Sequence, residues 1–357
     1  MSVFDARDFD DHEEVHFLSD PASGLRAIIA MHRKLPSIPS GGGIRMWPYP
    51  SEDAGLADVL RLSRAMTFKL ALAGVRIGSA KSVIFGDPQK NKTDSLLLAF
   101  GRAVESFGGR YFCAEDVGIS SNDLAVIRRE TAHVVGLPGQ DPSPGTAHGI
   151  VVCMRAAAMH RLGSESLSGL KIAVQGLGDV GYNLCRLLHK EGAQLYVSDI
   201  VQSRVARAAA EFGAVEVDPG EILYLGVDIL SPCALGEVIN AQTIDRLHAS
   251  VICGGANNIL SESALGETLA SRRILFVPDY LSNSGGVISV AGTRTGEESS
   301  QTHAKIENLY ATCLRLFTKA DDERMSTSVA LNRLTESLIE AIYGKRASSH
   351  LNTAKSI

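Results

Sequence analysis

Leu170-Lys171-Ile172-Ala173-Val174-Gln175, followed by Gly176-Leu177-Gly178-Asp179-Val180-Gly181, decides the fold of this chain. The first six residues are a short apolar run that reads as a buried strand. The next six spell G-x-G-x-x-G, and from Tyr182 to Leu188 apolar residues recur at helix spacing. Strand, glycine turn and helix in this order open a Rossmann-type, doubly wound dinucleotide-binding unit. Gly176 permits the tight turn, Gly178 lets backbone approach a pyrophosphate, and Gly181 lets the helix pack closely on the strand. N–H groups left free at the helix start, where Asp179 and Val180 stand, hold phosphate. A second strand, Gln194 to Ser198, ends in Asp199, 23 residues after Gly176. A carboxylate there accepts from adenosine ribose hydroxyls and repels a 2′-phosphate, which predicts NAD rather than NADP. Arg204, close by in sequence, works against that preference.

Outward from this turn, strands are expected at 227–230, 250–253 and 274–277, with a helix at 147–161 leading in. Helical patterns at about 300–319 and 326–343 close the chain, and 347–357 reads as frayed. Upstream, residues 25–32, 82–85 and 110–114 read as strands, and 96–107 as a helix. Ser51 is placed to cap a helix through Ala65, and Asn122 to cap another. The Pro-, Ser- and Gly-rich segment 36–43 reads as a loop. Three glycines and three prolines within 136–145 suggest a hinge. The expectation is an α/β protein of two domains. Residues 1–136 form a substrate-binding and oligomerisation domain, joined by a C-terminal helix at about 326–350. Residues 146–325 form the NAD-binding domain, and cofactor and substrate meet in the cleft between them.

Bulk composition narrows the function. Of 357 residues, 45% are hydrophobic and 21% charged, as expected of a globular protein with a sizeable core. A net charge of −5 offers no basic stripe for nucleic acid. No charge-free apolar run reaches the length of a membrane span, and the acidic N-terminus lacks the apolar core of a signal peptide. Six scattered cysteines without a C-x-x-C pair read as small buried hydrophobes in a reducing compartment, so a cytoplasmic location is expected. Ten histidines form no H-E-x-x-H, so no metal is expected.

Two lysines carry the chemistry. Lys69 lies in Ala65-Met66-Thr67-Phe68-Lys69-Leu70-Ala71, and Lys81 in Gly78-Ser79-Ala80-Lys81-Ser82-Val83-Ile84. Ammonium groups among apolar runs are held partly out of water, which favours the neutral base. The bland alternative is that both snorkel to solvent from the edge of a core. Tyr111-Phe112-Cys113-Ala114-Glu115-Asp116 then places a carboxylate at a strand tip, though Asp116 is equally suited to cap a helix.

With these segments in view, the chain resembles the amino-acid dehydrogenases of the glutamate/leucine/phenylalanine/valine family, and within it the leucine dehydrogenases. The matching runs include Gly-Gly-Ile-Arg-Met-Trp-Pro-Tyr at 42–49, Asp-Val-Leu-Arg-Leu-Ser at 58–63, Met-Thr-Phe-Lys at 66–69 and Ala-Glu-Asp-Val-Gly at 114–118. They continue with Pro-Cys-Ala-Leu-Gly at 232–236, Gly-Ala-Asn-Asn at 255–258 and Asn-Ser-Gly-Gly-Val-Ile at 283–288, in unbroken order over roughly 25–345. The resemblance implies reversible oxidative deamination of an L-amino acid to a 2-oxo acid and ammonia, with NAD as cofactor and a homo-oligomeric assembly. It implies that Lys69 pairs with the substrate carboxylate, that Lys81 is the general base toward water, and that Asp116 shuttles protons at the amino nitrogen. Gly42 and Gly43 bring backbone close to substrate. Gly41, Met66, Ala114, Val287 and Val290 are implied at the substrate pocket. Thr146, Cys233, Ala234 and Asn257 are implied on the nicotinamide side of the cofactor. None of these offers a charge to a glutamate side chain, so apolar substrates, branched-chain and including aromatic ones, are expected. The alternatives are a pathway-specific dehydrogenase for an aromatic or modified amino acid, or a non-catalytic NAD-binding relative.

Departures from the family pattern carry their own expectations. Gly78-Ser79-Ala80 replaces a usual triple glycine before the base, so extra atoms shift Lys81 or narrow the pocket. Leu70 and Ile44 stand where asparagine and threonine are common. Gly41 stands where leucine dehydrogenases commonly carry leucine, so the pocket is expected to be roomier and to admit phenylalanine.

Overall fold

A computed structural model describes residues 2–234 and 236–345. The chain divides into two compact units. Of the described residues, one unit holds 2–71, Arg76–Leu137 and 334–345; the other holds Leu72–Val75 and Pro138–Arg333.

The first unit contains strands β1 (Glu14–Asp20), β2 (Leu25–Arg33), β3 (Ser40–Trp47), β4 (Gly78–Phe85) and β5 (Tyr111–Glu115), with helices α1 (Glu52–Leu72), α2 (Asp94–Glu105) and α3 (Ser121–Ile127). The sheet order is β1-β2-β4-β3-β5; β2 is antiparallel to β1 and β4, whereas β3 is parallel to β4 and β5. Strand alternation loads both faces. Ile29, Met31, Ile44, Met46 and Tyr111 pack against Phe100 and Leu97 of α2. On the opposite face, Ile28, Ala30 and Val83 pack against Leu56, Val59 and Leu60 of α1. Caps set the helix starts: Ser51 Oγ accepts from Ala54 N, and Thr93 accepts from Leu96 N. The cap of α3 is Ser120, in a reciprocal box with Asp123, and not Asn122, which lies inside the helix.

The second unit opens with α4 (Ser143–Leu162), which packs against α5 (Asp179–Lys190), α9 (Gly285–Thr295) and α11 (Leu309–Asp322). It continues β6 (Lys171–Gln175), α5 (Asp179–Lys190), β7 (Gln194–Ser198), α6 (Gln202–Phe212), β8 (Val215–Glu216), β9 (Ile229–Pro232), β10 (Val251–Ile252), α7 (Leu265–Ser271), β11 (Leu275–Phe276), α8 (Asp279–Ser282), α9 (Gly285–Thr295), α10 (Ser299–Glu307) and α11 (Leu309–Asp322). Helix α12 (Thr327–Tyr343) is the last described element. The sheet is wholly parallel in the order β11-β10-β9-β6-β7-β8, so successive strands run outward both ways from the β6/β9 boundary. That reversal is the topological switch point of a doubly wound fold, and the glycine turn after β6 lies on it.

The main departure from the sequence reading is β3. A segment read as loop up to Gly43 is a central strand from Ser40 onward. The sheet ladder needs only backbone, and the space above bare glycines is filled from neighbouring strands. The pattern at 300–319 divides into α10 and α11 at Asn308, and α1 runs past Ala65 through Lys69. The frayed tail expected at 347–357 lies outside the described residues. All six cysteines are free; burial pushes the Cys113 thiol up to about 12. Among the described residues, no helix is long and apolar enough to cross a membrane.

Candidate active site

In the first unit, the register decides which side chains share a face. Gly41 pairs with Ser79 on β4 and Phe112 on β5, and Gly43 with Ala114. With a side-chain period of two, Gly41, Gly43 and Arg45 share one face with Ser79 and Lys81, and with Phe112, Ala114 and, just past β5, Asp116. Lys81 Nζ lies 3.0 Å from Asp116 Oδ2, and Arg45 Nε lies 3.1 Å from the same oxygen. The Lys81 and Asp116 side chains are only 14% and 20% exposed. Burial by itself raises the Asp116 carboxyl, but the Lys81 and Arg45 charges outweigh it and hold it below the ordinary carboxylate range. A Cβ on Gly43 would stand 2.8 Å from Lys81 Nζ and 3.0 Å from Asp116 Cβ, so bare backbone borders the pair directly.

The network continues into α1. Arg45 also bonds Asp58 at 3.1 Å, and Asp58 accepts from Tyr49 at 2.6 Å and Arg61 at 2.7 Å. Sequence reading assigned no role to Arg45, Asp58 or Tyr49; the alternation outward from Gly43 was the signal for Arg45. Lys69 lies three turns beyond Asp58 on the same stripe of α1, and Met66 stands about one turn before Lys69; both are half-buried.

In the second unit, Gly176 has φ +93°, and a Cβ there would meet Ala234 at 2.7 Å, in the segment after β9. A Cβ on Gly181 would run into the Gly176 carbonyl, so the α5 start lies hard on the turn. Gly178 differs: nothing lies within 4 Å of its would-be Cβ, and α5 starts there without a side-chain cap. That open, donor-lined space fits a pyrophosphate. Asp199 is 6% exposed; its Oδ2 accepts from Leu177 N at 2.7 Å and its Oδ1 from Val201 N at 2.8 Å. It thus binds the glycine turn to the end of β7, with Arg204 at 3.6 Å. Cys233 N donates to Gln175 O at 2.7 Å, placing Cys233 and Ala234 beside the turn. Thr146 is half-buried in the first turn of α4, and Asn257 accepts from Asn283 Nδ2 at 2.9 Å. Val287 and Val290 are part-exposed, one turn apart on α9.

A profile described as "Glu/Leu/Phe/Val dehydrogenase, dimerisation domain" matches residues 12–133, and one described as "Glutamate/Leucine/Phenylalanine/Valine dehydrogenase" matches 140–206 and 197–323. The chain belongs to the Glu/Leu/Phe/Val dehydrogenase family. It is 45% identical to leucine dehydrogenase of Geobacillus stearothermophilus over 97% of this chain and 96% of that one. It is 42% identical to L-tryptophan dehydrogenase of Nostoc punctiforme over 92% and 93%, and 39% identical to phenylalanine dehydrogenase of Caldalkalibacillus thermarum over 95% and 94%. The crystal structure of the Nostoc enzyme superposes with a TM-score of 0.83, covering 93% of this chain and 96% of that one.

The departures from the Glu/Leu/Phe/Val dehydrogenase pattern are absorbed by packing. Ile44 and Ala80 are fully buried on the sheet face opposite Lys81, and Leu70 is fully buried in α1. Ser79 Oγ lies 2.5 Å from Thr67 Oγ1 and accepts from Arg33 N at 3.1 Å; Thr67 Oγ1 in turn lies 2.6 Å from His32 Nδ1. A buried polar chain thus ties β4, two residues before Lys81, to α1, two residues before Lys69. The expectation that Gly41 leaves room is overturned. A Cβ on Gly41 would stand only 2.1 Å from Phe112 Cζ, at the tip of a ring that is 3% exposed. The volume a larger side chain would take on β3 is filled from β5.

Proposed function

We propose that this protein catalyses the reversible, NAD-dependent oxidative deamination of an apolar L-amino acid to the 2-oxo acid and ammonia. The observation that carries the reading is the Lys81–Asp116 pair at 3.0 Å beside the bare backbone of Gly43. Family membership and the named activities of its relatives support it. Lys69 binds the substrate carboxylate through a charge-assisted hydrogen bond. Lys81 takes a proton from water as that water adds to the imino carbon, and Asp116 passes protons to and from the nitrogen. Arg45 holds the same Asp116 oxygen as Lys81 does, so the carboxylate is ionised and oriented when substrate arrives. A bound nicotinamide supplies the hydride acceptor. Gly176, Gly178 and Gly181 hold the pyrophosphate, with Asp179 and Val180 at the same helix start. Thr146, Cys233, Ala234 and Asn257 position the nicotinamide end. Asp199 disfavours a 2′-phosphate, although Arg204 is close enough to move toward one.

Side-chain preference in this reading is for aliphatic substrates. Ala114, Met66, Val287 and Val290 supply apolar surface, and Phe112 replaces the wall that Gly41 lacks, so no extra room for phenylalanine arises there. The protein acts as a cytoplasmic homo-oligomer; the free cysteines and the dimerisation-domain match support this. The test is a panel of L-amino acids with NAD and with NADP, read by nucleotide absorbance. Reduction of NAD with leucine, valine or isoleucine is expected. Failure with every amino acid rejects the reading, and equal kcat/KM with NADP rejects the role of Asp199.

A further inference from the structure

Away from the glycine turn, two helices of the second unit bring three metal-ligating atoms together. On α10, His303 and Glu307 stand one turn apart and project from one face. Helix α4, packed against α10, supplies His148. His148 Nε2 lies 2.7 Å from Glu307 Oε1, and His303 Nε2 lies 3.7 Å from that same oxygen. The two imidazoles stack with centroids 4.8 Å apart. One ligand atom from each of the three residues falls within 4.8 Å of the others.

We propose that His148, His303 and Glu307 bind a divalent transition-metal ion of the zinc type, with solvent completing its shell. Two imidazoles and one carboxylate form a nitrogen-rich donor set, which suits zinc and its late first-row neighbours over calcium or magnesium, whose ligands are oxygens. Bonds of about 2.0–2.1 Å in a tetrahedral shell put ligand atoms about 3.3 Å apart. The present spacings bracket that value, so small rotations of side-chain ends close the site. His148 is 24% exposed and anchors the inner side, while His303, 62% exposed, leaves the outer side open for entry and for water. Lys305, between the two α10 ligands in sequence, is turned to Glu297 at 2.5 Å. The site contains none of the residues proposed for substrate or cofactor. Its effect is structural: a clip from α10 to the start of α4, two residues after Thr146.

The test uses the full chain, stripped with a chelator, and ZnCl2 in isothermal titration calorimetry. One site per chain is expected, with Kd of about 10 μM or tighter. His148→Ala and His303→Ala should each weaken it about tenfold or more, whereas His248→Ala, at an exposed position elsewhere, should not. Thermal melts provide a second readout. Zinc at about ten times the wild-type Kd should raise the wild-type midpoint by roughly 3 °C and that of His303→Ala by no more than about 1 °C. The proposal is overturned if zinc fails to saturate the wild type below about 1 mM, or if both histidine variants bind as tightly as it does.

Discussion

The protein has two glycine-rich stretches that look alike in sequence and are opposite in structure. Gly176, Gly178 and Gly181 form a turn, and above Gly178 the space is open. Gly41, Gly42 and Gly43 form the middle of a sheet, and the space above them is taken by Phe112, by the main chain of Ala80 and by Lys81. In the turn, absent side chains leave room for a ligand. In the strand, they leave room for the protein's own groups, and one of those groups is the ammonium of Lys81. A glycine run therefore marks either a vacant cradle or a place where neighbours converge, and only the neighbours distinguish them.

The comparison breaks most severely if the group that fills the strand site is removed. Lys81→Ala should lower turnover about 100- to 10,000-fold, the usual contribution of a general base, while nucleotide affinity measured by fluorescence titration stays near wild type. Near-normal turnover would refute the proposed role.

Adding one methyl at each stretch sharpens the contrast. Gly42→Ala drives a Cβ into the Ala80 carbonyl on the adjoining strand, so a stability loss of about 3 kcal/mol or more is expected in denaturant unfolding. Gly178→Ala meets nothing within 4 Å, and its φ of −66° suits any residue. Stability should change by less than about 0.5 kcal/mol, but NAD affinity should fall about tenfold or more. If both variants lose stability alike, the turn is not an open cradle.

How much of this was legible before the structure follows the same division. The turn could be read because its three glycines, flanking strand and helix all lie within consecutive residues. The strand at Gly41–Gly43 could not, because what occupies its face comes from Phe112 and Lys81, some 70 and 40 residues away. Strand and helix propensities carry no record of such partners. The meeting of Lys81 with Asp116 was expected only through family resemblance, since spacing alone left Asp116 a helix cap. Arg45 could be reached only by carrying the strand alternation outward from Gly43. His148 was invisible as a partner of His303 and Glu307, because a single His-x-x-x-Glu pair on one helix is common.

The convergence on Gly41 can itself be tested. Gly41→Leu alone should lose about 3 kcal/mol, since the added side chain overlaps the Phe112 ring. Combining it with Phe112→Ala should cost less than the two losses added, with a coupling of about 1 kcal/mol or more in a double-mutant cycle. Additive losses would mean that the two side chains do not compete for one volume.

The smallest expected effect lies at Ser79, where the family usually has a third glycine. Here the filling group belongs to the residue itself: its hydroxyl meets Thr67 Oγ1 and accepts from Arg33 N inside the sheet–helix contact. Removing a buried hydroxyl leaves Arg33 N without that acceptor, and Thr67 keeps only its contact with His32 and its weak bond to Ser63 O. Ser79→Ala should therefore destabilise by about 1–2 kcal/mol. Ser79→Gly should cost slightly more, by adding backbone freedom to the unfolded chain. Because Ser79 and Thr67 each stand two residues before a lysine, the loss should also loosen the spacing of Lys69 and Lys81. The KM for the amino acid should rise a fewfold with the KM for NAD unchanged. If either substitution raises stability, or if the two KM values move together, the hydroxyl fills space without bracing the lysines.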